Sequence, residues 1–349
     1  MMRWLAGVLM CVPMAASAVE TVRLQNGTVM LEVTPQLGGR GLGFSLHGRN
    51  NLLKVGEAVS AQPDPEVSAT AGDIGYLGHD VWLGPQSQWW TQQHANPARR
   101  EAKANWPPDP YLAFGKTRIV ERTPERLVLE GVPSPVSGVQ LRKTFALSAN
   151  RPDTVALRVQ ARNVRDTPVA WDLWFNTRVP SSTRVYVPVQ GKQDVRVESS
   201  ADKAFGPLLP RIQDGLFSFE RAPLQKGLSG RRGKVFLQPS VGWMAGFAGD
   251  QLFIIRFAGQ DRSLIHPDQG QVELYLDETA AASEGLLEME VHAPYRTLQP
   301  DQTMDAEELW TVLAYDGADT YEAQVAFLCG EAAKRLGMPE LCRTENSAR

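Results

Sequence analysis

Histidine, carboxylate and indole side chains crowd into one stretch of this 349-residue chain. Between Gly75 and Tyr111 lie four of its nine tryptophans (Trp82, Trp89, Trp90, Trp106) and two of its five histidines (His79, His94), interleaved with Asp80, Gln86, Gln88, Asn105 and Asp109. A His beside an Asp can act as a general acid/base group. Flat indole faces beside amides and carboxylates suit a sugar, because the apolar C–H face stacks on the ring while hydroxyls take directional hydrogen bonds. His79 and Asp80 are therefore candidate catalytic residues, and Trp82, Gln86, Trp89 and Trp90 candidate saccharide contacts. The alternative is that the tryptophans plug one end of a β core. In a strand the neighbours His79 and Asp80 alternate faces, so they need not touch. The stretch has no helical period and many Pro, Gly and Gln residues, which reads as a long ordered loop of functional use.

Further along, Glu273, Tyr275 and Asp277 in VELYLD recur at i, i+2, i+4 and share one strand face. If that face lines a cleft, Glu273 is a base or hydroxyl acceptor and Tyr275 a ligand contact; if it meets water, it is an ordinary polar face. Arg40 follows two glycines, a geometry that can place its guanidinium on a sugar hydroxyl or in a structural salt bridge. His266, before a proline turn, can bind a hydroxyl or shape the loop; His292 and Glu290 share a face and read as structural. Asp64, Asp73, Asp80 and Asp109 offer oxygen ligands, but their spacing matches no EF-hand, so no metal is expected. Gly38 to Gly43 lacks the G-x-G-x-x-G spacing, and neither a P-loop nor a G-x-S-x-G elbow occurs, so no cofactor is expected.

The elements that must position these residues are strands. Alternation marks 28–34, 126–130, 139–147 and, most clearly, 154–162, where Val155, Leu157, Val159 and Ala161 face one way. It continues over 169–179, 242–247, 252–257, 271–276, 287–292 and 308–314, with turn chemistry at Asn26-Gly27, Asn150 to Asp153, Gly249-Asp250 and Pro267 to Gly270. The pattern predicts an all-β fold of antiparallel strands in sandwiches or barrels, plus one helix over 320–336.

Residues 1–18 read as an export leader: Arg3, an apolar run from Leu5 to Met14, and the small-residue site Ala16-Ser17-Ala18. That run is too short to span a bilayer, and no later segment reaches the roughly 18 to 20 apolar residues required. An exported periplasmic or secreted chain without a membrane span is expected. Losing Arg3 with the leader takes the net charge from −3 to −4; without a basic run there is no electrostatic case for nucleic acid. In an oxidising compartment Cys329 and Cys342 can form a local disulfide, two free thiols being the alternative. The expected organisation is a leader over 1–18, one β domain over 19–318, a C-terminal helix and possible disulfide-stapled tail over 319–343, and a disordered end over 344–349.

Four stretches resemble the galactose-mutarotase-like supersandwich, and most closely its exported DUF4380 family. They are Val33 to Arg40 followed by Asn51-Leu52-Leu53; Gly78 to Trp82 with Pro85-Gln86; Leu141 to Phe145 through Asn163 to Trp171–Trp174; and His266 to Gly270 leading to Val272–Tyr275, Glu288–Glu290 and Leu298–Pro300. The resemblance implies a large antiparallel β-supersandwich with a short C-terminal helix and a mono- or oligosaccharide ligand. It does not imply one reaction, since the superfamily holds aldose and hexose-phosphate epimerases, domains of polysaccharide lyases and glycosidases, and glucan-synthesis proteins. Mutarotases pair a glutamate before a Tyr-Pro-Asp-like turn with a histidine on a central strand. Here Asp261 precedes His266-Pro267-Asp268, and Trp171 to Asn176 contains no histidine, so that pair does not carry over. Two readings follow: an epimerase-like carbohydrate enzyme using His79, Asp80 and Glu273, or a non-catalytic sugar-binding or structural envelope protein.

Overall fold

The computed structural model describes residues 19–279 and 284–342; the expected leader and the end of the tail lie outside them. Period-two alternation of apolar residues builds two large sheets packed face to face. The first half of the chain supplies β1 (Val22–Gln25), β2 (Val29–Thr34), β3 (Arg40–Leu46), β4 (His79–Gly84), β5 (Arg118–Arg122), β6 (Arg126–Glu130), β7 (Val139–Leu147), β8 (Thr154–Asn163) and β9 (Val169–Pro180). The second half adds β10 (Arg184–Pro188), β11 (Val195–Ser199), β12 (Phe205–Gly206), β13 (Pro210–Gln213), β14 (Leu216–Phe219), β15 (Gly230–Leu237) and β16 (Trp243–Ala248). It ends with β17 (Gln251–Phe257), β18 (Val272–Thr279), β19 (Leu286–His292), β20 (Arg296–Leu298) and β21 (Thr303–Ala314).

One sheet runs β1-β2-β3-β4-β9-β19-β18-β15-β11, with β12 and β20 alongside; the other runs β13-β14-β10-β16-β17-β21-β8-β7-β6-β5. The pairings are antiparallel apart from the short β12–β15 pair. The expected all-β supersandwich is what the chain forms. Val81, Leu173, Phe175, Met289 and Val235 of the first sheet meet Leu157, Phe253, Trp310 and Val312 of the second in one continuous apolar core. A second cluster lies on the outer face of the second sheet, where Trp243, Phe247 and Ile254 receive the C-terminal helix through Leu328, Ala332 and Leu336. That helix is capped by Thr320, runs Tyr321–Phe327, widens at Leu328–Ala332 and closes as Ala333–Leu336. A Cys329–Cys342 disulfide ties its middle to the segment beyond it.

The stretch expected to be one long loop opens instead as β4, paired with β9 from His79↔Thr177 to Gly84↔Asp172. Its loop character begins at Pro85, and the loop is braced throughout. Asn96 caps Pro97–Glu101, and Asp109 caps Pro110–Phe114 while also accepting from Ser134 Oγ and Ser137 N.

Candidate functional site

The face of the first sheet turned away from the core carries the polar alternate of every central strand. On β9, Leu173, Phe175, Thr177 and Val179 face the core, which leaves Trp174, Asn176 and Arg178 on the opposite side. The same alternation turns Asp80 and Trp82 on β4, Glu288 and Glu290 on β19, Glu273, Tyr275 and Asp277 on β18, and Arg232 and Lys234 on β15 to this face. Over this face lies a cavity of about 590 Å³, walled on one side by Gln86 and Trp106 of the braced loop and on the other by Glu198 and Ser199 of β11.

Each cation of the cavity has a carboxylate partner. Arg40 donates from Nη2 to Asp80 Oδ2 at 2.7 Å and from Nη1 to the Leu77 carbonyl at 2.8 Å. Gly38 and Gly39 put it there: both have left-handed φ (+70° and +68°), and a side chain on Gly38 would collide with the Leu112 carbonyl oxygen. Arg178 Nε donates to Glu288 Oε1 at 2.9 Å, its guanidinium 4.5 Å from the centre of the Trp82 ring. Arg232 pairs with Asp277 at 3.0 Å. Lys234 Nζ lies 2.6 Å from Glu273 Oε2 and 2.9 Å from Glu290 Oε2, over the face of Trp174 at 4.7 Å.

Burial raises the Glu290 carboxyl to about 8; Lys234 opposes the shift, and the neighbouring carboxylates of Glu288 and Glu273 reinforce it. Beneath it the order reverses. Burial alone would raise Glu273, but Lys234 and His292 hold it at about 2. Burial alone would lower His292, but Glu273 and Asp172 lift it to about 9, with Nδ1 3.1 Å from Asp172 Oδ1 and Nε2 3.4 Å from Glu273 Oε1. The result is a proton-holding carboxyl at the cavity surface above a fixed chain of alternating charge. Glu273, Glu290 and His292 also lie close enough together to ligate a cation. The Lys234 ammonium already stands between the two carboxylates and supplies that charge.

Several expected contacts line the cavity: Arg40, Asp80, Trp82, Gln86 and Tyr275. Asp80 is saturated, since it accepts from Arg40, from Trp82 Nε1 at 3.1 Å and from Val81 N at 2.8 Å, with Lys143 Nζ 3.6 Å away. It therefore positions Arg40 and Trp82 and is committed to protein partners rather than to substrate. His79 is elsewhere. It shares a face with Val81 and Leu83, so it points between the sheets, 4.7 Å from the Trp310 ring, with Nδ1 2.9 Å from Thr177 Oγ1. Burial, with Lys143, Arg178 and Arg40 nearby, keeps its pKa well below 6.5. The set His79/Asp80/Glu273 thus does not converge: His79 is on the wrong side of the sheet, Asp80 is committed, and Glu273 is ion-paired beneath the cavity floor. Trp89 and Trp90 are also buried: Trp89 packs edge-on against Trp82 and donates to the Leu83 carbonyl, while Trp90 lies under the Arg99 guanidinium and donates to the Pro107 carbonyl. His266 packs on Tyr295 outside the cavity and accepts from Asp268 N.

Among the cavity residues, sequence reasoning assigned no site role to Arg178, Glu288, Lys234 and Trp106, and only a structural one to Glu290. Three of these, Arg178, Glu288 and Glu290, were readable from alternation, because WDLWFNTRV and LLEMEVH place most of their polar residues on one face against apolar ones on the other, whereas Lys234 lies in GRRGKVFL, whose first half does not alternate. Trp106 had no such signal.

The chain belongs to the DUF4380 family, a domain of unknown function, whose family model matches residues 19–313. Its fold is that of the galactose mutarotase-like proteins. It aligns with such a protein from Lactobacillus casei ATCC 334 at TM-score 0.51 and 8% identity, covering 84% of this chain and 100% of that one. A galactose mutarotase related enzyme from Lactobacillus acidophilus gives TM-score 0.51 and 9% identity over 85% and 99%. A galactose mutarotase-like protein from Clostridium acetobutylicum gives 0.50 and 9% over 85% and 96%. No match is found among curated proteins.

Proposed function

We propose that this protein binds a saccharide in the cavity over its first sheet, in an exported compartment. The observation that carries the reading is the lining itself: fixed donor–acceptor pairs beside indole rings, with Arg40, Arg178, Arg232 and Lys234 each matched to a carboxylate. Such a surface can hydrogen-bond hydroxyls in both directions. It offers an anionic ligand no unmatched cation among these four, so the ligand is a neutral polyol. The mutarotase-like fold supports a sugar, and the disulfide supports the oxidising compartment.

Glu290 favours a second reading on the same site, an aldose-epimerase-like activity. Glu290 carries a proton into the neutral range, while Glu288, two residues away on the same face and so about 7 Å along the strand, is ion-paired with Arg178. Two carboxyls in such different surroundings can divide acid and base roles. Glu290 would protonate the ring oxygen and Glu288 would take the anomeric hydroxyl proton. The C1–O bond would then open to the aldehyde and reclose on either face.

A glycan-array screen followed by thermal-shift titration tests the binding. A hit that is lost in both Glu288→Gln and Tyr275→Phe, with each variant still folded, is the expected result. A hit indifferent to both would move the site away from this cavity.

A further inference from the structure

Resting on the saccharide reading, we infer that the cavity takes an oligosaccharide laid across the strands, with an outer sugar residue stacked on Trp106 and an inner one over Tyr275, Glu288 and Glu290. Lining residues come from six consecutive strands, β4-β9-β19-β18-β15-β11. Five inter-strand gaps at about 4.8 Å extend the cleft about 24 Å along the sheet. A single pyranose ring covers only one or two such gaps. The volume agrees. If each of the roughly twelve heavy atoms of a hexose displaced as much as a liquid water, about 30 Å³, the ring would fill less than about 360 Å³, well short of about 590 Å³.

Among the cavity's described indoles, Trp106 alone presents an open face. Trp82 is covered by Arg178, and Trp174 by Lys234 and His292. Trp106 is 48% exposed. Its ring is backed by Trp82 and Trp89, each 6.1 Å away between centroids, and its loop is fixed by Gln86 Nε2 donating to the Asn105 carbonyl and Trp90 Nε1 to the Pro107 carbonyl. An indole held this rigidly at a cavity mouth is a preformed stacking platform, with little ordering cost on binding. Tyr275 stands on β18, three gaps or about 14 Å of sheet from Trp82 on β4. One ring cannot occupy both ends.

Titration calorimetry of the purified protein with glucose, galactose and their β-linked di-, tri- and tetrasaccharides tests the inference, alongside Trp106→Ala and Trp106→Phe. Affinity should rise at least tenfold from the better monosaccharide to its trisaccharide. Trp106→Ala should cost the trisaccharide tenfold or more but the monosaccharide under threefold, and Trp106→Phe should recover part of the loss. Equal affinities along the series, or equal losses for short and long sugars, would overturn the extended site while leaving sugar binding intact. No binding by any member, or by any glycan of the array, would overturn the saccharide reading and this inference together.

Discussion

At the residue scale the chemistry turns on how three buried groups share charge. Glu290 holds its proton because burial disfavours its anion and Glu288 and Glu273 crowd it; Lys234 is already engaged by Glu273 at the shorter distance. Any reaction that needs Glu290 as an acid should therefore be fully active below its folded pKa and fade as pH rises through about 8. Anomer exchange on a sugar that binds should show this descending limb, and Glu290→Gln should abolish exchange while changing affinity less than tenfold. An unchanged rate in Glu290→Gln would remove it from the chemistry. Lys234 has the opposite role. Replacing it with Met takes the ammonium away from the buried Glu273 carboxylate and the Glu290 carboxyl, and losing one partner of a buried ionic cluster typically costs about 3 to 5 kcal/mol. Chemical denaturation should show a loss of that order in Lys234→Met, and Glu273→Gln added to it should recover part by removing one stranded charge.

At the scale of elements, alternation made most of the sandwich legible. The expected runs 126–130 and 139–147 coincide with β6 and β7, and those at 154–162 and 169–179 fall one residue short of β8 and β9. The segment from β10 to β15 was not anticipated. β11 and β13 are polar edge pieces that owe their strand form to pairing with β15 and β14, and β15 begins on two glycines and three cations before its apolar end Val235-Phe236-Leu237. The site was half legible for a related reason. Residue types drew attention to the stretch around His79, but face decides function in a strand, and Val81 and Leu83 put His79 on the apolar side. Trp106 could not be placed because its position depends on a braced loop without a period. The C-terminal helix was legible from Val325, Leu328 and Leu336 falling on one side, and its hold on the second sheet is reinforced covalently. The disulfide spans 13 residues, and closing a loop of this size restricts the unfolded chain by up to about 3 kcal/mol. Cys329→Ser/Cys342→Ser should lose up to that amount in chemical denaturation and expose the helix to hydrogen exchange first, while the cavity, on the other sheet, keeps its sugar affinity. Exchange that remains slowest in the helix would contradict this.

At the scale of the whole molecule, both faces of the first sheet bury titratable groups, and this gives the protein an acid-side optimum of stability. Glu290 on the cavity face and Glu308 in the inter-sheet core are both raised to about 8 by burial, with Trp310 Nε1 donating to Glu308 Oε2 at 2.7 Å. Between the ordinary glutamate value of 4.5 and 6.5, the native state therefore holds two protons that the unfolded chain has released. His79, kept neutral by burial, holds one fewer. Among these three groups the net excess is one native proton, which contributes a fall in stability of about 1.4 kcal/mol per unit of rising pH. Between 6.5 and 8 the unfolded histidines have discharged, so His79 no longer offsets the loss. His292, raised to about 9, adds a third native-bound proton. The fall then steepens towards an upper limit of about 4 kcal/mol per unit. Below 4.5 the order reverses, because Glu273, lowered to about 2, and neutral His79 both lose stability as pH drops. Denaturant midpoints measured from pH 4 to 8.5 should peak near pH 5 and drop through pH 8. Glu308→Gln, which keeps the acceptor for Trp310 but removes one proton from the balance, should cut the slope between 6.5 and 8 by about a third and leave the protein more stable than wild type at pH 8.5. A profile that is flat or rising across that window would mean that these carboxyls are not buried as the sandwich places them.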